Sequence, residues 1–222
     1  MSDFALHVEG LARLSNGLRT PLALIVGYAE LLGIEPDKKT LAEAPQRIKD
    51  AAAELTRIVD DLLAVYALDA GVLYLARTAV PVAELVDDTV AAAGARVDVE
   101  IDQRVGTAAV SADREQAETM LATLIDNARF RAPNARPKVH VERVSGYARL
   151  EVADRGGGLD ERDREIAFDA FSRLIPRTGL TTGLELYKVR RLAELHGGRA
   201  WAATGPDDEA RFGFELPLAR SG

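Results

Sequence analysis

Short stretches of this chain carry residue types able to do chemistry. Asp154-Arg155-Gly156-Gly157-Gly158 sets a carboxylate ahead of a glycine run, and glycine lets a backbone approach a ligand more closely than any other residue. Asn127 lies in a stretch of helical pattern. Gly183-Leu184 stands at the head of another helical run, and the first amides of a helix attract phosphate. Taken alone, Asp154–Gly158 is an ordinary tight turn from strand to loop. It becomes a site only if the fold brings the other residues to it.

The elements that must do this are legible in outline. Apolar residues recur at Val8, Leu11, Leu18, Leu22, Ile25, Ala29 and Leu32, after Phe4 and with Ser15 as the interruption. A second stripe runs through Leu41, Ala44, Ile48, Ala51, Leu55, Ile58, Leu62 and Val65. Both alternate steps of three and four, the spacing of helices packed knobs-into-holes. Gly33 to Lys39, with a glycine and a proline, is the turn between them. Two helices alone do not enclose a core, so the hairpin is expected to pair with a second copy in a four-helix bundle. The alternative is a hairpin packed against its own C-terminal half. Asp69-Ala70-Gly71 stops the second helix, which puts a boundary between residues 1–70 and 71–222.

Beyond it, strands are expected at Val72–Leu75, Val97–Ile101, Lys138–Val144, Ala148–Ala153, Ala200–Ala203 and Ala210–Leu216. Helices are expected at Val82–Ala93, Glu115–Phe130 and Leu184–Leu195, with a weaker one at Glu161–Phe168. The fold class is therefore α+β: a helical hairpin followed by a layered α/β sandwich.

Composition removes several functions. The 222-residue chain has no cysteine, so disulfides and thiolate metal sites are excluded. His7, His140 and His196 lack the spacing of a zinc site. A net charge of −7 and 5% aromatics argue against a nucleic-acid surface. No apolar run reaches the roughly 20 residues of a membrane span. A cytoplasmic protein is expected, and a soluble piece of a membrane receptor fits equally well.

Five segments resemble, in order, the signature boxes of the sensor histidine kinases. Leu18-Arg19-Thr20-Pro21-Leu22 matches the phosphoacceptor box, and Gly27 to Leu32 continue it. Leu124-Ile125-Asp126-Asn127-Ala128 is similar to the asparagine box, and Val152 to Leu159 to the first glycine box. Ala167 to Arg173 resembles the phenylalanine box. Thr182-Gly183-Leu184, followed by Leu195 to Gly198, resembles the second glycine box and its closing turn. One box is weak evidence, but five in order span the whole chain. The resemblance implies a GHKL-type ATP-binding sandwich after a dimerising hairpin. Asp154 would accept a hydrogen bond from the adenine amino group, and Asn127 would hold Mg2+. Gly156 and Gly158 would let the backbone approach the nucleotide, and Gly183 and Leu184 would open the helix that meets phosphate. It also implies a homodimer and a response-regulator receiver domain docked near Arg19, Thr20 and Ala23.

The pattern breaks where the phosphate should land. Asn16 occupies the position of the phosphoacceptor histidine and Gly17 that of the acid beside it. An imidazole attacks phosphorus through a free lone pair. The lone pair of an amide nitrogen is delocalised into its carbonyl, and both members of the acid–base pair are lost together. His7 is no substitute. It lies nine residues earlier, which at about 100° per residue is the far side of the helix. Gly17 also stands four residues before Pro21, which removes a helical hydrogen bond and makes the helix easier to bend.

The nucleotide boxes depart from the family pattern too. Thr123, Phe130, Thr181 and Glu185 replace an asparagine, a lysine and two glycines, and Leu174 to Thr181 is short for the family's lid. A carboxylate at 185 would repel polyphosphate if it faced the site. The expectation is a pseudokinase: a dimeric regulatory or scaffold protein that binds ATP and Mg2+ weakly or not at all. Its partners would be a receiver domain or another histidine kinase, which could supply the missing histidine. The alternative is an active kinase core whose histidine was exchanged for Asn16, and the four other departures speak against it. A phosphotransfer protein needs the same histidine and fails on the same ground.

Overall fold

The computed structural model describes residues 8–34, 37–94, 96–172 and 183–219, and of residues 8–13 the backbone alone. Helices α1 (Val8–Gly33) and α2 (Lys38–Asp69) form the N-terminal hairpin. Asp37 starts α2 by accepting a hydrogen bond from the Thr40 amide at 2.7 Å. Gly71, with φ of +66°, follows the end of α2. On α2 the expected stripe points inward at Ala44, Ala51, Ile58 and Val65, which are buried, whereas Leu41 at its start is 52% exposed. On α1 the stripe is only partly covered. Leu18 and Ile25 are half-buried, while Leu22 and Leu32 stay exposed.

The rest is a two-layer sandwich. A five-stranded sheet runs in the order β2 (Asp98–Ile101), β4 (Lys138–Val144), β5 (Tyr147–Asp154), β7 (Ala210–Pro217), β6 (Ala200–Thr204). The β2–β4 pair is parallel and the other pairs antiparallel. Alternate residues of the central strands form one apolar face: Val139 and Val141, Leu150 and Val152, Phe212 and Phe214. Over it lie α3 (Val82–Ala92), α5 (Arg114–Arg131) and α7 (Glu185–Leu195), which contribute Leu85, Leu121, Leu124, Ile125, Val189 and Ala193 to the same core. The opposite face is an ionic layer. Glu215 accepts from Arg149 and Arg199 at 2.8–3.2 Å, and Arg211 pairs with Glu151 at 3.2 Å.

A second, two-stranded sheet pairs β1 (Thr78–Pro81) with β3 (Ala109–Ala112). The strand expected at Val72–Leu75 is absent. That run has no ladder partner and leaves Val72 and Tyr74 exposed, whereas pairing with β3 begins at Thr78. Short helices α4 (Gln103–Gly106) and α6 (Glu161–Ile166) complete the described elements. Among the described residues, no helix is long and apolar enough to cross a membrane.

The hairpin is also fastened to the sandwich. Val65 of α2 packs in a small cluster with Phe171, Leu184 and Tyr187, flanked by Leu14 and Leu62. Polar links surround the cluster. Lys188 Nζ meets Asp61 at 2.5 Å, and Arg57 reaches Glu185 at 3.1 Å. The alternative of a hairpin packed on its own C-terminal half is thus realised along one face of α2.

Candidate functional site

On α1, Asn16, Arg19, Thr20 and Ala23 are all exposed. Their spacing of three and four puts them on one helix face. The Thr20 hydroxyl donates back to the Asn16 carbonyl at 3.1 Å. Gly17 is half-buried, yet a methyl group added to it would meet nothing within 4 Å. Pro21, one turn on, is buried. His7 lies outside the described residues.

The second candidate site forms where α5 and β5 end. Asp154, the last residue of β5, is buried, with its side chain 1% exposed. Its Oδ1 accepts the Gly156 amide at 2.7 Å, which ties down the start of the glycine run. Its Oδ2 accepts from Arg131 Nε at 3.0 Å. Arg131 ends α5, exactly one turn after Asn127, so the two side chains leave the same face of that helix. The Arg131 guanidinium also donates through Nη2 to the Gly157 carbonyl at 2.7 Å and sits 5.7 Å from the centre of the Phe212 ring. The side chain that makes all these contacts is only 8% exposed. Burial, the largest influence, pushes the Asp154 carboxyl above the usual aspartate range. The Gly156 amide and Arg131 pull against it.

The glycines have local reasons to be there. A Cβ at Gly156 would lie 2.9 Å from the Arg131 carbonyl oxygen, and one at Gly158 would strike Asp208 and Thr204. Gly157 has φ of +89°, which a side chain would strain. The close approaches at Gly156 and Gly158 are therefore to the chain's own atoms. Asn127 is half-buried, and its Nδ2 is buried with no hydrogen-bond partner. Among the described residues, no group of three or more His, Asp or Glu side chains is gathered to hold a metal.

At the head of α7, Gly183 has φ of +74°, and a Cβ there would lie 2.9 Å from the Phe171 Cα. Leu184 caps α7 without a side-chain hydrogen bond and is fully buried. The Gly183 amide donates to Glu185 Oε2 at 2.9 Å, and Glu185 Oε1 accepts from Arg57 Nη1 at 3.1 Å. Glu185 thus faces the helix head, as its charge leads one to expect of an acid at a positive helix end. Thr123 turns its hydroxyl to the Thr119 carbonyl at 2.7 Å, and Phe130 is exposed. Arg173, Thr181, Thr182 and the segment Leu174 to Thr181 lie outside the described residues.

Two of the groups expected to meet a nucleotide are engaged by the chain's own side chains. The acceptor expected to read an adenine amino group is bonded to Arg131, and the Gly183 amide just ahead of α7 is bonded to Glu185. Sequence reasoning passed over Arg131. Its one signal is a basic residue a single helical turn after Asn127. The links from Asp61, Asp69 and Arg57 to α7 join residues more than a hundred positions apart, and no local pattern announces them.

Residues 9–71 match the His Kinase A (phospho-acceptor) domain, and residues 112–220 match the histidine kinase-, DNA gyrase B- and HSP90-like ATPase. Sensor protein DivL of Caulobacter vibrioides is 31% identical over 93% of this chain, which covers 27% of that protein. The probable sensor histidine kinase TcrY of Mycobacterium tuberculosis is 29% identical over 94% of this chain and 45% of its own length. The chain therefore spans between a quarter and a half of these curated relatives. In structure it is similar to histidine kinase ThkA in complex with response regulator protein TrrA. That match has a TM-score of 0.73 at 22% identity, over 96% of this chain and 62% of the other. Histidine kinase AdeS of Acinetobacter baumannii has a TM-score of 0.68 at 22% identity, over 91% of this chain and 98% of the other. At such identities the structural likeness speaks for the fold. A phosphoacceptor-type helical hairpin followed by an ATPase sandwich, each matched to its own family and both aligned with sensor kinases, makes the chain a member of the histidine kinase family.

Proposed function

We propose that this chain is a pseudokinase of two-component signalling: a homodimeric regulatory or scaffold module that does not phosphorylate itself. The observation that carries the reading is Asn16, an exposed carboxamide on α1 at the phosphoacceptor position, followed by a glycine in place of an acid. A carboxamide nitrogen is no nucleophile towards phosphorus, and Gly17 carries no base beside it. The division at residue 70 separates this hairpin from a sandwich whose adenine- and phosphate-reading groups are Asp154, Gly156, Gly158, Gly183 and Leu184, with Asn127 as the Mg2+ position. Binding of ATP there is weak or absent. The exposed face of Asn16, Arg19, Thr20 and Ala23 is the surface offered to a receiver domain, and a second histidine kinase could present its own phosphoacceptor in a mixed dimer.

The experiment is incubation with γ-labelled ATP and Mg2+, before and after Asn16→His. The expected result is no acid-labile phosphate on either protein. Labelling of the unmodified chain would overturn the reading. Labelling of the Asn16→His variant at an ordinary kinase rate would favour the alternative of an active core whose histidine was exchanged.

A further inference from the structure

A nucleotide site must leave two kinds of group open: an acceptor for the base and donors for the phosphates. In this chain both are engaged from within. We propose that the nucleotide site is blocked in cis, with the Arg131 guanidinium standing in for the base at Asp154 and the Glu185 carboxylate standing in for phosphate at the Gly183 amide.

The base end is a built contact. Arg131 and Asp154 are more than nine-tenths buried, 3.0 Å apart. The remaining bonds are shared out: Arg131 Nη2 goes to the Gly157 carbonyl and Asp154 Oδ1 to the Gly156 amide. The guanidinium lies over Phe212, which packs edge-on against Phe168 at 6.3 Å. A planar cation on an aromatic ring, bonded to a buried carboxylate, meets the same demands as a flat base with an amino group. A base entering here would have to expel the guanidinium and strand one charge or the other. At the opposite end, Glu185 brings an anion to the amide of Gly183, and Arg57 of the hairpin holds its second oxygen. A phosphate arriving at that amide meets a carboxylate already bonded to it. The two stand-ins are opposite in charge and belong to different helices, α5 and α7, so each can be removed separately.

The inference rests on the reading of Asp154 and Gly183 as the base and phosphate groups of a weak nucleotide site, and the test separates the two. Titration calorimetry with Mg2+-ATP and with adenosine is run on the unmodified chain, Arg131→Ala, Glu185→Ala and the double variant, each checked for folding by circular dichroism. The expected result is a gain of at least tenfold in ATP affinity for the double variant. Arg131→Ala should gain affinity for adenosine and ATP, and Glu185→Ala for ATP alone. Folded variants that bind no tighter than the unmodified chain would overturn the inference while leaving weak binding in place. An unmodified chain that itself binds Mg2+-ATP tightly, with a Kd of about 1 μM or below, would overturn both.

A second measurement needs no folded alanine variant. In the 1H–15N spectrum of the unmodified chain, the Arg131 Nε–H signal, assigned by its loss in Arg131→Lys, should exchange slowly with water at neutral pH. A rapidly exchanging Nε–H would overturn the in-cis contact.

Discussion

The phenol of Tyr187 donates to the carboxylate of Asp69, at 2.9 Å from Oδ1 and 3.0 Å from Oδ2. Tyr187 belongs to α7 and Asp69 ends α2, so this bond crosses from sandwich to hairpin at the point where the chain leaves the helix. Arg191 Nε meets the same Asp69 Oδ1 at 3.0 Å. Burial first, and the Asp69 bond and charge next, push the Tyr187 hydroxyl up to about 12.

Removing that hydroxyl tests whether the two halves are held as a unit. Tyr187→Phe keeps the ring in its cluster with Val65, Phe171 and Leu184 and deletes only the bond. Loss of a hydrogen bond to a charged group costs about 1.5 kcal/mol. The expected outcome is a lower urea midpoint and faster proteolysis in the exposed stretch around Val72 and Tyr74. Unchanged proteolysis in Tyr187→Phe would show that the apolar cluster alone fastens the hairpin.

His196 makes stability depend on pH. Its ring is fully buried at the end of α7. Nε2 accepts the Asp113 amide at 3.1 Å and Nδ1 faces the Leu192 carbonyl at 2.7 Å. Only the neutral ring with hydrogen on Nδ1 satisfies both partners. Burial, the largest influence, lowers its pKa below the ordinary value, with the Arg77 charge adding to it and the Leu192 carbonyl and Asp113 opposing. The unfolded chain therefore binds a proton that the folded one refuses. The His196 contribution is complete above about pH 6.5 and is lost as pH falls from there towards the depressed folded value. Urea denaturation at intervals between pH 8 and pH 5 should show this slope. His196→Gln should be less stable at pH 8 yet flatter across the window.

Much of this architecture is legible in the sequence, and the parts that are not have physical reasons. The inward residues of α2 follow the heptad stripe, and β4, β5, β7 and α5 lie close to their expected bounds because their apolar periods are long. β1 and β3 are not legible because each is only four residues long, with alanines and a closing proline in β1, too short for a period of two to stand out. Their strand character comes from pairing with each other. The site was half legible. Asp154, Asn127 and the glycines stand out by type, whereas Arg131 sits in the last turn of a helix, where a cation normally needs no explanation beyond the helix dipole. Its meaning appears only once β5 brings Asp154 beside it.

Gly17 offers a test confined to the hairpin. A methyl group there meets nothing within 4 Å, and an alanine inside a helix is about 1 kcal/mol better than glycine. Gly17→Ala should therefore stabilise the protein by about that amount, raising Tm by roughly 2–4 °C for a chain of this size. The gain should be independent of nucleotide. A loss of stability would mean that α1 bends at this position in solution.

The hairpin leaves more apolar surface open than a lone module needs. Leu22 is 52% exposed on α1, and on α2 Val59, Leu63 and Tyr66 form a stripe with exposures of 41%, 61% and 69%. The stripe lies beside the inward residues Ile58 and Val65, so a second hairpin laid along it would continue the same core into a four-helix arrangement. In a twofold interface each substitution acts on both copies. Burying one leucine is worth about 1.5–3 kcal/mol, and each 1.4 kcal/mol is tenfold in affinity. Leu22→Lys with Leu63→Lys should therefore weaken self-association by at least about 100-fold. Sedimentation equilibrium over a range of protein concentrations would read the change as a shift from dimer to monomer. The sandwich, whose core lies elsewhere, should keep its thermal transition. A double variant that sediments as the same dimer would place the contact between copies on another surface and leave this stripe without its partner.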